Sequence, residues 1–290
     1  MAAGLQKDCK MKHEIGFMQG RLSPLVNNKI QAFPWEHWKS EFPAAVEIGL
    51  HLMEWTLDQE NLYKNPLMTD EGQIEIKMLC EKFNFKISSL TGDCFMQAPF
   101  YKKTGSERAS LIEDFKAIIN SCSKIGIEYI VFPLVDAGRL ENREQEDDVI
   151  EVLLGLASHL KEKKVKVIFE SDYVPKELKR FIERLPQDLF GINYDSGNSA
   201  ALGFDPDEEL ATYGSRIYNV HIKDRKFQGT TVPLTTGDTQ FAKVFKGLKV
   251  AGFQGRFILQ TARAQDDQHQ AVLKKYRDFT SDWIQREFKS

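Results

Sequence analysis

Apolar positions along this chain alternate between two rhythms. Short, nearly continuous apolar runs are each followed by a stretch in which apolar residues recur every three or four positions. The first rhythm suits strands buried on both faces, and the second suits helices packed against them. The runs predict strands at 14–19, 51–55, 86–90, 128–132, 166–170, 190–194, 217–221 and 256–260. Between them, Leu111, Phe115, Ile118, Ile119 and Cys122 mark one helical stripe, and Val149, Val152, Leu153, Leu156 and Leu160 mark another. Residues 238–252 read as a helix opened by Asp238 or Thr239 and closed by Gly252.

Eight such βα units, with no low-complexity linker and no break in composition, predict an α/β chain folded as one closed (β/α)8 barrel. The runner-up is a doubly wound open sheet. It would usually have fewer strands and often a glycine-rich phosphate loop after the first, whereas the first loop here is MQGRLSP. A length of 290 residues suits a single barrel. Residues 1–12 lack the apolar core of a signal peptide and are expected to form a loose extension, with Met11 an alternative start; the barrel then spans 13–290.

Composition narrows the class further. A net charge of -3 gives no support to bulk electrostatic binding of nucleic acid or an anionic membrane. Cys9, Cys80, Cys94 and Cys122 form no CxxC pair and are expected to be reduced thiols of a cytoplasmic protein. No apolar run approaches the roughly 20 residues that span a bilayer.

Four of the runs end on side chains that carry chemistry: VKVIFE at Glu170, FGINYD at Asp195, IYNVH at His221 and RFILQ at Gln260. In a parallel barrel the carboxyl ends of the strands converge on one face, so these four would meet. Each has a bland reading alone: an ion pair for Glu170, an Asx turn or helix cap for Asp195, a hydrogen-bonded core imidazole for His221. As an ordered set, two carboxylates, an imidazole and an amide oxygen suit one divalent ion, Mn²⁺ first, with Zn²⁺, Co²⁺ or Mg²⁺ as alternatives. Gln19, Arg21, Glu54, Asp93 and Asp136 fall near the same face, as do Lys223, Asp224, Arg225 and Arg263. Lys223 and Arg225 suit an anionic or polyhydroxylated ligand, with Asp224 placed to orient one of them. Phe33, Trp35, Trp38 and Trp55 are candidates for a sugar-pocket wall, with helix packing the alternative for Trp38.

The strand-five Glu170, the Asp195-Ser-Gly-Asn198 turn, the His221-Ile-Lys-Asp224 segment and the polar residue at strand eight together resemble the xylose isomerase-like TIM barrels. That group includes sugar phosphate isomerases/epimerases, ketose 3-epimerases, inosose dehydratases and an endonuclease IV branch. The stretch VPLTTGDTQFAKVFKGLKVAGFQGRFILQ, together with MQGRLSP and FPWEHWKSEF, is similar to the isomerase/epimerase members. The resemblance places Glu170, Asp195, His221 and Gln260 on the four metal positions and Arg225 near a substrate hydroxyl. It also implies a homodimer paired through barrel helices. Two departures stand out. The strand-eight position is usually Glu, one of two proton-transfer bases in the ketose 3-epimerases, and Gln260 cannot carry a proton. Asn198 stands where several relatives have His, and the histidines needed for a trinuclear nuclease site are missing.

The expected activity is therefore a metal-dependent isomerase or epimerase of a small sugar or sugar phosphate, working through a metal-stabilised enediolate. Glu170 is the expected base, with Asp93, Asp136 or Lys223 as the partner acid. Arg225, Lys223, Arg263, Glu54, Asp93 and Asn198 are the expected substrate contacts. A dehydratase on the same site is the first alternative, and a non-catalytic barrel that binds a sugar or a partner is the second.

Overall fold

The computed structural model describes residues 13–264 and 266–288. In chain order it contains β1 (Ile15–Met18), α1 (Glu41–Glu47), β2 (Leu52–Thr56), α2 (Asp70–Phe83), β3 (Lys86–Thr91), α3 (Asp93–Gln97), α4 (Gly105–Ile125), β4 (Tyr129–Leu134), α5 (Arg143–Lys163), β5 (Lys166–Ser171), α6 (Pro175–Ile182), β6 (Phe190–Asp195), α7 (Ser196–Leu202), α8 (Pro206–Tyr213), β7 (Ile217–Ile222), α9 (Phe241–Val250), β8 (Arg256–Leu259) and α10 (His269–Phe288). The strands pair in parallel and in chain order, and β1 closes the sheet on β8. The fold is a single-domain (β/α)8 TIM barrel. Every apolar run picked out in the sequence is a strand, with each end within two residues of its expected place. The extension expected at residues 1–12, Cys9 included, lies outside the described residues.

Strand burial follows from the closed architecture. Every residue of β2 and of β6 is buried, because helices cover the outer face and side chains from neighbouring strands fill the inside. Outside the barrel, Phe95 of α3 stacks on Phe132 of β4 with ring centroids 4.6 Å apart. Phe169 of β5 follows 6.0 Å from Phe132, and Phe190 of β6 lies 6.5 Å beyond it. The helices begin and end on local signals: Asn142 caps α5 by accepting the Gln145 amide at 2.9 Å, and Gly126 takes a positive φ of 86° after α4.

One helix boundary differs from the sequence expectation. α9 starts at Phe241, after the expected caps Asp238 and Thr239. Both are occupied in the loop after β7: Asp238 accepts from the Phe227 amide at 2.7 Å, and the Thr239 amide donates to Asp224 at 3.1 Å. Asp224 also accepts from the Gly237 amide at 2.9 Å. It therefore pins this loop to the end of β7 instead of orienting a neighbouring cation.

Inside the barrel four strands carry polar residues two positions apart, and so on one face: Glu54 and Thr56 on β2, Ser89 and Thr91 on β3, Asn193 and Asp195 on β6, Asn219 and His221 on β7. They create a hydrogen-bonded polar layer beneath the carboxyl-terminal mouth.

Candidate active site

The register of the barrel brings the expected ligands together. Asp195 is the last residue of β6 and sits opposite His221 on β7. Glu170 is next to last on β5, and Gln260 immediately follows β8. One ligand atom each from Glu170, Asp195 and His221 lie within 4.8 Å of one another. Asp195 divides its work between its two oxygens. Oδ1 accepts the Gly197 and Asn198 amides at 2.9 and 2.8 Å, capping α7, while Oδ2 faces the cluster. The helix cap is thus present on the same side chain that faces the cluster. Glu170 is fixed by two amides, Asn198 Nδ2 on Oε1 at 2.6 Å and Asn193 Nδ2 on Oε2 at 3.1 Å.

His221 is fully buried, with Nε2 2.7 Å from Glu54 Oε1 and Nδ1 3.2 Å from Glu170 Oε2. Donation from Nε2 to Glu54 leaves Nδ1 directed at the two carboxylates, where a metal ion would take it. Burial by itself would lower the imidazole pKa, but Glu54, Asp195 and Glu170 outweigh it and push it well above the ordinary value. Glu54 has no exposed surface and accepts further bonds from Ser89 Oγ at 2.6 Å, Asn219 Nδ2 at 3.0 Å and the Thr91 hydroxyl. It anchors the imidazole from below and does not line the cavity above.

That cavity has a volume of about 500 Å³ and opens at the carboxyl ends of the strands. Glu170, Gln260, Asn198, Lys223, Arg225, Asp93 and Asp136 all border it. Asn198 joins the carboxylate to the cations: Nδ2 donates to Glu170, while Oδ1 accepts from Lys223 Nζ at 3.1 Å and from Arg225 Nη1 at 2.8 Å. Arg225 is steadied by the Gly229 carbonyl, 2.7 Å from Nη2. Gln260 donates to Gln31 at 3.1 Å, and Gln31 in turn donates to Asp93 at 2.8 Å.

Asp93 opens α3 and is largely buried. Burial first, then repulsion from Asp58 and Glu170, lift its pKa to about 7 against the opposing effects of Gln31 and Arg21. It is therefore divided between its protonated and ionised forms near neutral pH. The stability consequence has a definite sign. The folded carboxyl binds its proton more tightly than the unfolded one, so Asp93 increasingly disfavours the fold as pH rises from about 4 to about 7. Asp93→Asn is expected to stabilise the protein by up to roughly 4 kcal/mol at pH 8 and by less at pH 5. Urea midpoints at the two pH values check this, and an equal gain at both would reject it.

The remaining expected residues lie elsewhere. Arg263 is tucked beside the β1 loop, donating to the Ser23 carbonyl near Glu41, and does not border the cavity. Glu41 holds that loop by accepting the Gly20 and Leu22 amides at 2.9 Å. Arg21 is buried and donates to the Thr261 carbonyl at 2.9 Å, next to Gln260. Gln19 accepts the Thr56 amide at 3.0 Å. Trp55 packs on Phe33 at 5.4 Å and on Trp38 at 5.6 Å, and these rings form core under β2 instead of a sugar wall. Trp35 packs edge-on against Phe33 at 4.9 Å and lines a neighbouring cavity of about 510 Å³ that shares Gln97 with this one. Asn193, Asn219, Ser89, Thr91 and Gln31 were not picked out from the sequence. For the four on strands the signal was present, as a polar residue two positions from Asp195, from His221 or from another polar residue in an apolar run.

Two carboxylate oxygens and an imidazole nitrogen, buried and convergent, make a donor set that fits a divalent ion, and the Gln260 amide oxygen shares the Lys223 ammonium with Asp195. No curated protein sequence matches this chain. Among solved structures it is similar to the IOLI protein with a zinc atom, at TM-score 0.74 and 16% identity, covering 96% of this chain and 100% of that one. A xylose isomerase domain protein from Planctomyces limnophilus matches at TM-score 0.72 and 16% identity, covering 94% and 98%. D-allulose 3-epimerase from Methylomonas sp., in complex with D-allulose, matches at TM-score 0.71 and 15% identity, covering 93% and 96%. At such identities these likenesses speak for the fold. The family model of the xylose isomerase-like TIM barrel matches residues 42–280, most of the chain, and the chain belongs to that family.

Proposed function

We propose that this protein is a metal-dependent isomerase or epimerase of a small sugar or sugar phosphate. The observation that carries the reading is the convergence of Glu170, Asp195 and His221 within 4.8 Å beside a cavity of about 500 Å³. The sugar epimerases among its structural neighbours agree with it. A divalent ion held by Glu170, Asp195, His221 and Gln260 would supply Lewis-acid charge to the oxygens of the substrate. Glu170 takes the proton from the carbon beside the carbonyl, its carboxylate held in place by Asn193 and Asn198. Asp93, a fraction of which carries a proton near neutral pH, returns one, a role closed to Gln260. Arg225 and Lys223 face the cavity and bind substrate hydroxyls or an anionic group. The protein is expected to act as a homodimer in the cytoplasm.

One feature favours a second reading. A protonated Asp93 that borders the same cavity as Glu170 makes with it an acid–base pair suited to expelling a hydroxyl as water, the work of a dehydratase. Titration of Mn²⁺ and Zn²⁺ into the wild type and into a Glu170→Gln, Asp195→Asn double variant tests the metal site, with binding expected only in the wild type. Sugars and sugar phosphates are then screened by NMR in deuterated water. An isomer labelled at the exchanged carbon supports the isomerase, and a dehydrated product supports the lyase. Absence of ion binding in the wild type removes both readings in favour of a barrel that binds without turnover.

A further inference from the structure

Lys223 stands between the ligand cluster and the cavity. Asp195 and His221 do not border the cavity, whereas Lys223 does. Its Nζ lies 3.2 Å from Asp195 Oδ2, 3.0 Å from Gln260 Oε1 and 3.1 Å from Asn198 Oδ1. Two of these oxygens belong to the metal-binding set, and Asn198 also holds Glu170, a third member, at 2.6 Å. The ammonium is thus coordinated by oxygens as a bound cation would be. The path of its stem is built for the purpose: a Cβ on Gly197 would come within 2.6 Å of Lys223 Cγ and 2.9 Å of its Cβ, so the absence of a side chain at 197 lets the stem pass. Gln260 is turned to receive it, since its Nε2 is engaged by Gln31 and its Oε1 faces the ammonium.

We propose that Lys223 is an internal cation that competes with the divalent ion for this site and so weakens metal binding. The proposal rests on the metal-dependent reading above. With Lys223 in place, its positive charge offsets one of the two carboxylates, and the oxygens of Asp195 and Gln260 are engaged. An incoming ion must displace the ammonium from both. Once displaced, Lys223 remains at the cavity border, where it meets the substrate, so metal loading and presentation of the lysine to the sugar become one event.

Isothermal titration of Mn²⁺ into the full-length, chelator-treated protein tests this. Lys223→Met, which keeps length and removes charge, is expected to bind Mn²⁺ at least about tenfold more tightly than the wild type, while Lys223→Arg stays close to it. Lys226→Met, at an exposed lysine paired with Asp238, serves as the charge control and is expected to change nothing. Circular dichroism reports folding, and Lys223→Gln replaces the Met variant if that chain does not fold. Equal or weaker binding by the charge-free variant overturns the proposal. If the wild type then binds Mn²⁺ tightly, the metal-dependent reading survives it; if neither chain binds the ion, both fall.

Discussion

Glu170→Gln is expected to lower turnover by roughly 10²–10⁴-fold on whatever sugar the wild type converts, because the proton acceptor is lost while the side-chain shape is kept. Loss of solvent-deuterium exchange at the reacting carbon should accompany the loss of product, since both depend on the first proton transfer. The substitution also has a local cost. Asn193 and Asn198 each direct an amide N–H at one carboxylate oxygen, so the new Gln amide must turn its own N–H groups toward one of them. A destabilisation of about 1–3 kcal/mol follows from that mismatch, small enough to leave a folded barrel whose thermal midpoint can be compared with the wild type. If exchange persists at the wild-type rate in a folded Glu170→Gln variant, the base lies elsewhere, and Asp93 or Asp136 becomes the residue to replace next.

Glu54→Gln should have the second-largest effect, although Glu54 never meets the cavity. Its carboxylate gathers the His221 ring, Ser89, Thr91 and Asn219, and it is buried completely. Burial opposes its charge, but attraction to His221 outweighs this and lowers its pKa. The linkage then runs in two directions. The carboxylate contributes stability that is present above its unfolded pKa, roughly 4.3, and is lost as acid titrates the folded group. The imidazole contributes stability that is full below roughly 6.5 and is lost only as pH rises through its raised folded value. Glu54→Gln removes the charged partner and turns an amide toward donors. Breaking a buried pair from one side costs about 3–5 kcal/mol, and losing the group that orients a ligating histidine costs roughly 10–100-fold in metal affinity. Calorimetric Mn²⁺ titration and pH-dependent melting measure the two effects separately. Unchanged affinity would show that the ring keeps its orientation without Glu54.

The fold was legible because each strand is an apolar run long enough to cross the barrel wall and each connection carries its own helical stripe. The clustered positions were legible for a related reason: Glu170, Asp195 and His221 interrupt apolar runs at the end where a parallel barrel gathers its side chains. Glu54 was harder to place. A carboxylate near the end of β2 looks the same in sequence whether it faces the cavity or the polar layer below, and its partner His221 lies far along the chain. Arg263, Phe33 and Trp35 fall outside the cavity lining for a different reason. Beyond the last strand residue the chain direction follows no periodicity, so nearness to Gln260 or to β1 in sequence does not translate into nearness to the cavity. The cap of α9 failed similarly, because Asp238 and Thr239 were committed to loop contacts that only the folded chain creates.

The pairing of Asp195 with His221 across β6 and β7 has a consequence for how this protein can change. The spacing of these two groups is set by the ladder and not by the segment that joins them, which contains α7 and α8. Residues added or lost between α8 and β7 would alter the outer surface while leaving the distance between carboxylate and imidazole intact. One residue added inside β7 ahead of His221 would instead turn the imidazole out among the helices, because successive strand residues face opposite sides. Length changes are therefore tolerated in the connections and not in the staves, and it is the connections leaving the carboxyl ends of the strands where additions can alter substrate preference without rebuilding the centre.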